Sequence, residues 1–243
     1  MNCKKCGRPM SKDGTCTYCE RKNTKQQGEK TRKIAPYWYG VAATVLIAVI
    51  VIAVVLLTGG DKEKPSGSTQ PTAAPTISGK HHVEIEIADY GVIAVELDAD
   101  AAPVTVENFL KLAKDGFYDG LTFHRIMSGF MMQGGDPEGN GSGGSDVTIK
   151  GEFSENGVSN PLSHTRGAIS MARNGMDMDS ATSQFFIVHQ DSLFLDGKYA
   201  CFGYVTSGLE VVDAVCADAK PTDNNGSIPT EQQPIITEIR VLD

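Results

Sequence analysis

Through the last two thirds of the chain, apolar residues come in short runs or alternate with polar ones. Val83–Ile87 (VEIEI) alternates strictly, and Val92–Leu97 (VIAVEL) is rich in β-branched residues. Asp89, Tyr90 and Gly91 lie between them, which predicts two strands joined by a turn. The period then lengthens. In Ala101–Gly116 (AAPVTVENFLKLAKDG), Phe109, Leu110 and Ala113 share a helical face, Pro103 and Thr105 suit the start, and Gly116 suits the stop. Further strands are predicted at Thr122–Ile126, Phe130–Gly134, Gly167–Ala172, Gln184–Val188, Ala200–Val205 and Ile235–Val241. A second helix is predicted at Leu209–Ala217, burying Val211, Val212 and Val215. Many short strands and two separate helices predict a mostly β domain over residues 81–243. The expected form is a closed antiparallel β-barrel of about eight strands capped by two α-helices.

The first third is organised differently. Residues 1–20 form a cysteine-rich head and residues 21–36 a basic polar stretch. Val41–Leu57 (VAATVLIAVIVIAVVLL) carries no charge, and with its flanks it makes an apolar segment over residues 37–58. That length matches a helix crossing a hydrocarbon core of about 30 Å. Tyr37, Trp38 and Tyr39 stand where an interfacial aromatic belt would. A core helix would need a cover for its apolar faces, and no apolar segment lies nearby. A cleaved leader would be shorter, would start earlier and would end in a small-residue cleavage site. The expectation is a single uncleaved transmembrane helix. Gly59–Lys80 (GGDKEKPSGSTQPTAAPTISGK) has almost nothing to bury and reads as a disordered tether.

Charge gives the expected orientation. The net charge of −8 is unevenly spread: residues 1–36 carry ten Lys/Arg against three Asp/Glu, whereas residues 81–243 carry nine against twenty-five. Cations cluster on the cytoplasmic side of a span, so the head is expected in the cytoplasm and the large domain outside the cell membrane. The acidic domain makes nucleic acid an unsuitable partner, since phosphate binding needs clustered cations. It holds only Cys201 and Cys216, which are expected as buried thiols rather than a disulfide framework.

Three stretches carry the chemistry: Phe123–Asp136 (FHRIMSGFMMQGGD), Ser183–Ile187 (SQFFI) and Phe194–Gly203 (FLDGKYACFG). The first sets an arginine among aromatic and methionine side chains, where its charge is costly unless it is used. With Gly167–Arg173 (GAISMAR), these motifs resemble the cyclophilin family of peptidyl-prolyl cis-trans isomerases, over nearly all of residues 82–243. The resemblance implies that Arg125 is the main catalytic residue and that Phe130, Met131 and Gln133 shape the groove. It implies Gln184 as a polar contact, Phe186 as the floor of a proline pocket and Leu195 as part of its wall. Backbone groups at Ala172 and Arg173 would hold the peptide. Phe194 stands where many members have Trp, and Tyr199 where they have His. The first change removes the indole N–H on which cyclosporin binding by the family partly relies.

The residue types suit the reaction. Arg125 can aim a permanently charged donor at the imide nitrogen of a twisted X–Pro bond, with Gln133 fixing it or the substrate carbonyl. No covalent bond changes, so no catalytic cofactor is expected. His124, next to Arg125, reads as structural because alternation turns it to the opposite face, and Glu138–Ser145 (EGNGSGGS) is assigned no function.

In the head, Cys3, Cys6, Cys16 and Cys19 form two CxxC knuckles nine residues apart. Four thiolates suit tetrahedral zinc, and a segment this short needs such a staple to fold. It resembles the small zinc-ribbon heads of some bacterial membrane proteins; its own partner is unspecified. The leading expectation is a membrane-anchored isomerase acting on proline-containing exported or surface polypeptides. A non-catalytic tethered proline-peptide-binding module or chaperone is the alternative, and a sensor built around the zinc head is a third reading.

Overall fold

The computed structural model describes residues 77–243. The cysteine head (Cys3, Cys6, Cys16, Cys19), the basic stretch, the apolar run and the tether as far as residue 76 lie outside the described residues. Among the described residues no helix is long and apolar enough to cross a membrane, and no group of three or more His, Cys, Asp or Glu could hold a metal ion.

Eight strands form one antiparallel sheet: β1 (Lys80–Ile87), β2 (Gly91–Asp98), β3 (Thr122–Met127), β4 (Met131–Asp136), β5 (Ala168–Met171), β6 (Phe185–Val188), β7 (Cys201–Ser207) and β8 (Ile236–Val241). Their order is β3-β4-β6-β5-β7-β2-β1-β8. The sheet curls into a half-barrel rather than the closed barrel expected. Its edges, β3 and β8, share no ladder. One bridge, Thr122 to Ile235, and backbone bonds such as Phe123 N to Pro234 O (2.9 Å) and Ile236 N to Leu121 O (2.8 Å) stitch them. Strand β1 begins at Lys80, a residue assigned above to the tether, and Ile77 packs against the core.

Alternation explains which face is filled. Val83, Ile85 and Ile87 of β1 and Ile93, Val95 and Leu97 of β2 point inward, while Glu84, Glu86 and Glu96 face out. Two helices cover the interior: α1 (Pro103–Lys114) and α2 (Leu209–Asp218). Helix α1 drives Phe109 into the centre, with ring centroids 5.1 Å from Tyr118, 5.4 Å from Phe185 and 5.3 Å from Phe202. Such contacts add to area burial. Its unpaired first-turn N–H groups are met by a carboxylate from far along the chain. Glu152, buried, accepts from Val104 N (3.0 Å), Thr105 N (2.8 Å) and Thr105 Oγ1 (2.7 Å). The negative charge also opposes the positive end of the helix dipole. Helix α2 buries Val211, Val212 and Val215, as the sequence predicts. Cys201 and Cys216 are buried free thiols, both pushed up to about 12 by burial, so neither is a thiolate at neutral pH.

Strict alternation fails once in β3. The register with β4 shifts between Phe123 and Arg125, so that both Phe123 and Ile126, three positions apart, reach the core. The displaced residue, His124, is buried beneath the loop after β4, and a Cβ on Gly141 would lie 3.6 Å from its Nε2. Neither ring nitrogen has a hydrogen-bond partner among the described residues. A second buried histidine, His164, is fully partnered: its Nδ1 lies 2.7 Å from Asp196 Oδ1 and its Nε2 3.0 Å from Ser170 Oγ.

Burial pushes both histidines below their ordinary value. At His124 the charge of Asp136 resists the shift and Arg125 adds to it; at His164 the hydrogen bond and charge of Asp196 resist it. Above pH ~6.5 both rings are neutral folded or unfolded, and below it the unfolded chain takes up protons that the folded domain refuses. Stability therefore falls as pH drops from about 6.5 toward the lowered folded values, by at most about 1.4 kcal/mol per pH unit for each ring. Asp98 and Asp196 also sit below the ordinary carboxylate range, but their losses come below about pH 3.9. Thermal unfolding followed from pH 7.5 to 5 is expected to show a falling midpoint, with a shallower fall in His124→Gln. A flat profile over that window contradicts the assignment.

Candidate active site

The outer face of β3, β4 and β6 is not solvated like the outer face of β1. Inward Met132, Phe185 and Ile187 belong to the main core. Their outward neighbours Met131, Phe186 and Val188 form a second apolar cluster with Ala168, Leu195 and Cys201, edged by Phe130, Ala172 and Tyr199. Strand register sets a row across this face: Arg125 pairs with Gln133, Gln133 with Phe186, and Phe186 with Ser170. A polar pair is thus placed at the edge of an apolar floor.

Above that floor is a cavity of about 330 Å³. Phe186 and Leu195 lie at its base, both almost fully buried, and Met131 is beside them. Phe130 and Phe194 form one wall, with ring centroids 5.5 Å apart; Phe194 is 63% exposed and stands at the rim. Tyr199 meets Phe186 edge-on at 5.9 Å. Arg125, Gln133, Ala172 and Arg173 complete the lining. Of the residues assigned to the site from sequence, only Gln184 lies outside this hollow. It lines a neighbouring cavity of about 370 Å³ that shares Gln133, Ala172 and Arg173.

Arg125 is half-buried, and among the described residues no carboxylate pairs with it. Its Nε donates to Asn225 O (2.7 Å) and its Nη1 to Gln133 Oε1 (3.1 Å). The remaining contacts are soft: Nη1 to Met131 Sδ at 3.8 Å, Nη2 to Met127 Sδ at 3.3 Å, and the guanidinium over the Phe130 ring at 5.9 Å. Sulfur and π faces orient the fork without neutralising it or satisfying most of its five N–H groups. Burial lowers its pKa, partly offset by Tyr199 and Asp223, but a guanidinium stays charged. Gln133 is fixed in turn, its Nε2 donating to Gln184 Oε1 (2.9 Å), and Gln184 Nε2 donates to Gly143 O (2.7 Å) and Gly141 O (3.1 Å). The order Arg125–Gln133–Gln184–loop fixes which way each amide faces.

Three parts of this arrangement were not read from the sequence. The turn Asp223–Ser227 supplies the Asn225 carbonyl. Asp223 accepts from Asn225 N and Ser227 N, and Gly226 (φ 86°) passes so close to β3 that a Cβ would lie 2.5 Å from Met127 Cγ. The loop Asn140–Gly144, assigned no role above, is drawn in by Asp136 accepting from Glu138 N, Asn140 N and Gly141 N, and it anchors Gln184. Finally, Asp196 of the Leu-Asp-Gly motif accepts from Ser163 Oγ (2.5 Å) and His164 N (2.7 Å), and the His164 ring stacks on Phe186 at 6.0 Å. Burial opposes the charge on Asp196, and the hydrogen bonds from Ser163 and His164 outweigh it. The only advance signal for these parts was the density of Asp, Asn and Gly, which marks turns but not their partners.

Among the described residues the hollow is lined by no nucleophile, no general base and no ligand cluster. The arrangement offers a directed, unneutralised cation beside an apolar hollow with room for a small apolar ring and the chain around it. Residues 82–241 match the family described as cyclophilin type peptidyl-prolyl cis-trans isomerase/CLD. Peptidyl-prolyl cis-trans isomerase B of Bacillus subtilis is 52% identical over 124 residues, covering 51% of this chain and 82% of that protein. A peptidyl-prolyl cis-trans isomerase of Helicobacter pylori is 48% identical over 127 residues, 51% of this chain and 74% of that one. A crystal structure of a Cryptosporidium parvum cyclophilin type isomerase superposes with a TM-score of 0.60 at 30% identity, covering 68% of this chain and 99% of its own. A second structure of that protein, in the presence of the dipeptide Ala-Pro, gives 0.59.

Proposed function

The chain belongs to the cyclophilin-type peptidyl-prolyl cis-trans isomerases, and we propose that it turns X–Pro bonds over through Arg125 acting on the imide nitrogen. The observation that carries this reading is a half-buried guanidinium without a carboxylate partner at the edge of an apolar hollow. In a planar X–Pro bond the nitrogen lone pair is delocalised into the carbonyl, which sets a barrier of roughly 18–20 kcal/mol. Rotation localises the pair on nitrogen. A donor aimed there binds the twisted state better than either planar state, which is what lowers a barrier. Phe186, Leu195 and Met131 hold the proline ring and keep water from the amide, which strengthens the field of Arg125. The relatives carry this activity in their names, and the Ala-Pro dipeptide accompanies one solved relative; proline-containing polypeptides are the proposed substrates here.

A charge-assisted hydrogen bond is worth about 1.5–3 kcal/mol, or roughly ten- to a hundredfold in rate. Arg125→Ala in the full chain is therefore expected to lose at least tenfold in kcat/KM on a proline peptide, with the fold retained, and Arg125→Lys to recover only part. Full activity in Arg125→Ala refutes the role of Arg125, whereas peptide binding without turnover in the unaltered chain favours the tethered peptide-binding alternative.

The same proposal includes where the domain works. Residues 37–58 anchor the chain as a single membrane span, residues 1–20 lie in the cytoplasm, and the isomerase domain acts outside on exported or surface proteins. The support is the charge-free run Val41–Leu57 and the excess of cations before it. Protease added to intact cells is expected to remove the isomerase domain and spare the head; protection of the domain reverses the orientation. Cys3, Cys6, Cys16 and Cys19 are proposed to hold one zinc ion. About one equivalent of zinc in the purified full chain, lost in Cys3→Ser/Cys6→Ser, is the expected result, and a metal-free native chain contradicts it.

A further inference from the structure

The four arginines among the described residues fall into two kinds. Arg166 pairs with Asp213 (2.8 Å), and Arg240 pairs with Glu84, Glu86 and Glu238, all on the outer surface. Arg125 and Arg173 pair with no carboxylate. Both line the groove, in a domain that carries twenty-five acidic residues against nine Lys/Arg over residues 81–243. Leaving these two unneutralised among so many carboxylates puts two unpaired guanidinium charges at one cleft.

Arg173 is the one for which isomerisation of the bond itself has no use. Its side chain is held in place: Nε donates to Lys198 O (2.9 Å) and Nη1 to Asn174 O (2.9 Å), and the guanidinium lies 4.9 Å from the Tyr199 ring centroid and 5.1 Å from that of Phe153. Carbonyls and ring faces orient the fork and leave its charge intact, and its Nη2 makes no hydrogen bond among the described residues. Arg173 also lines both cavities, standing at the border between the apolar hollow and its polar neighbour. That neighbour is built from Ser142, Asn174, Ser180, Thr182 and Gln184, with Arg173 as its only charged residue. Ser142 Oγ, Ser180 Oγ and Gln184 Nε2 already donate to Asn140 Oδ1, Asp177 O and the loop carbonyls, so the donors that face a carboxylate are the Thr182 hydroxyl, the Asn174 amide and the pre-oriented guanidinium of Arg173.

We propose that Arg173 is a specificity-determining residue that selects proline segments with an Asp or Glu close to the proline, the carboxylate entering the polar cavity while the ring occupies the apolar one. This rests on the reading of the groove as an isomerase site and names its preferred substrate class. Because Arg173 is partly exposed, the gain from one such ion pair is at most about fivefold in kcat/KM.

The test uses the full chain and a set of short proline peptides that differ only in one residue, Ala, Glu or Lys, at each of the two positions on either side of the proline. Isomerisation is followed by exchange NMR, which needs no auxiliary protease with a sequence preference of its own. The expected result is a Glu-over-Ala ratio of about three or more for at least one position, falling with added salt. That ratio drops to about one in Arg173→Gln and inverts in favour of Lys in Arg173→Glu. The ratio is the readout because a purely structural loss at Arg173 lowers all peptides together. Equal rates for Glu and Ala peptides at every position, or a preference that survives Arg173→Gln, overturns the proposal while leaving the isomerase reading intact. Absence of turnover for every peptide overturns the isomerase reading instead, and this one with it.

Discussion

A guanidinium that is half-buried and unpaired is an expensive object, and the groove is arranged around keeping it that way. Arg125 could be neutralised by a carboxylate, which would lower its cost and weaken its field. The surrounding groups instead are a carbonyl, an amide oxygen, two thioethers and a ring face. Each limits where the fork can point, and none cancels its charge. The orientation depends on parts far apart in sequence: Gln133 is eight residues away and Asn225 a hundred. The site therefore exists only when the sheet is folded and the turn at Asp223–Ser227 has closed over β3.

The two faces of one sheet divide the work. Inward side chains of β4 and β6 pack with Phe109 of α1 and hold the barrel together, while outward ones a single residue along floor the groove. Because the side-chain period is two, a one-residue slip would exchange core and floor. The bulge at His124 is the one place where β3 breaks this rule, and it lets the strand contribute Phe123 and Ile126 to the core with Arg125 facing out between them. Positioning the cation and filling the core are thus settled by the same irregularity.

This division decides how much could be read in advance. The strands β1 and β2, helix α1 and helix α2 follow from period and from Pro and Gly punctuation, because each pattern reports a single buried face. The groove was legible only through its motifs. Phe130, Met131, Phe186 and Leu195 look like ordinary core residues by composition, and nothing local says that they face outward together. The sheet's open seam was not legible, since strand number does not say whether the ends pair. Nor were Glu152 on α1, Asp196 beside His164, and the Asn225 carbonyl, because long-range capping leaves no spacing in the sequence. His124 was set aside as a base by a rule of alternation that the bulge suspends; it is buried and does not line the hollow.

The polar groups under the groove do more than fill space. Phe186 is the residue on which a proline ring would rest, and it is backed by the His164 ring, which in turn is held by Asp196 and Ser170. A floor supported only by aliphatic side chains would slide; a ring hydrogen-bonded at both nitrogens sets its own plane and therefore that of Phe186. The arrangement carries a cost, since a buried imidazole that stays neutral ties the stability of the domain to pH. The same reasoning applies at the other end of the groove, where Asp136 gathers the N–H groups of Glu138, Asn140 and Gly141 and so fixes the loop that holds Gln184. Rigidity at both ends leaves the two arginines, among the described residues, as the only charged groups lining either cavity, which is the basis for sorting a ligand by its fit to the hollow and by the sign of its charge.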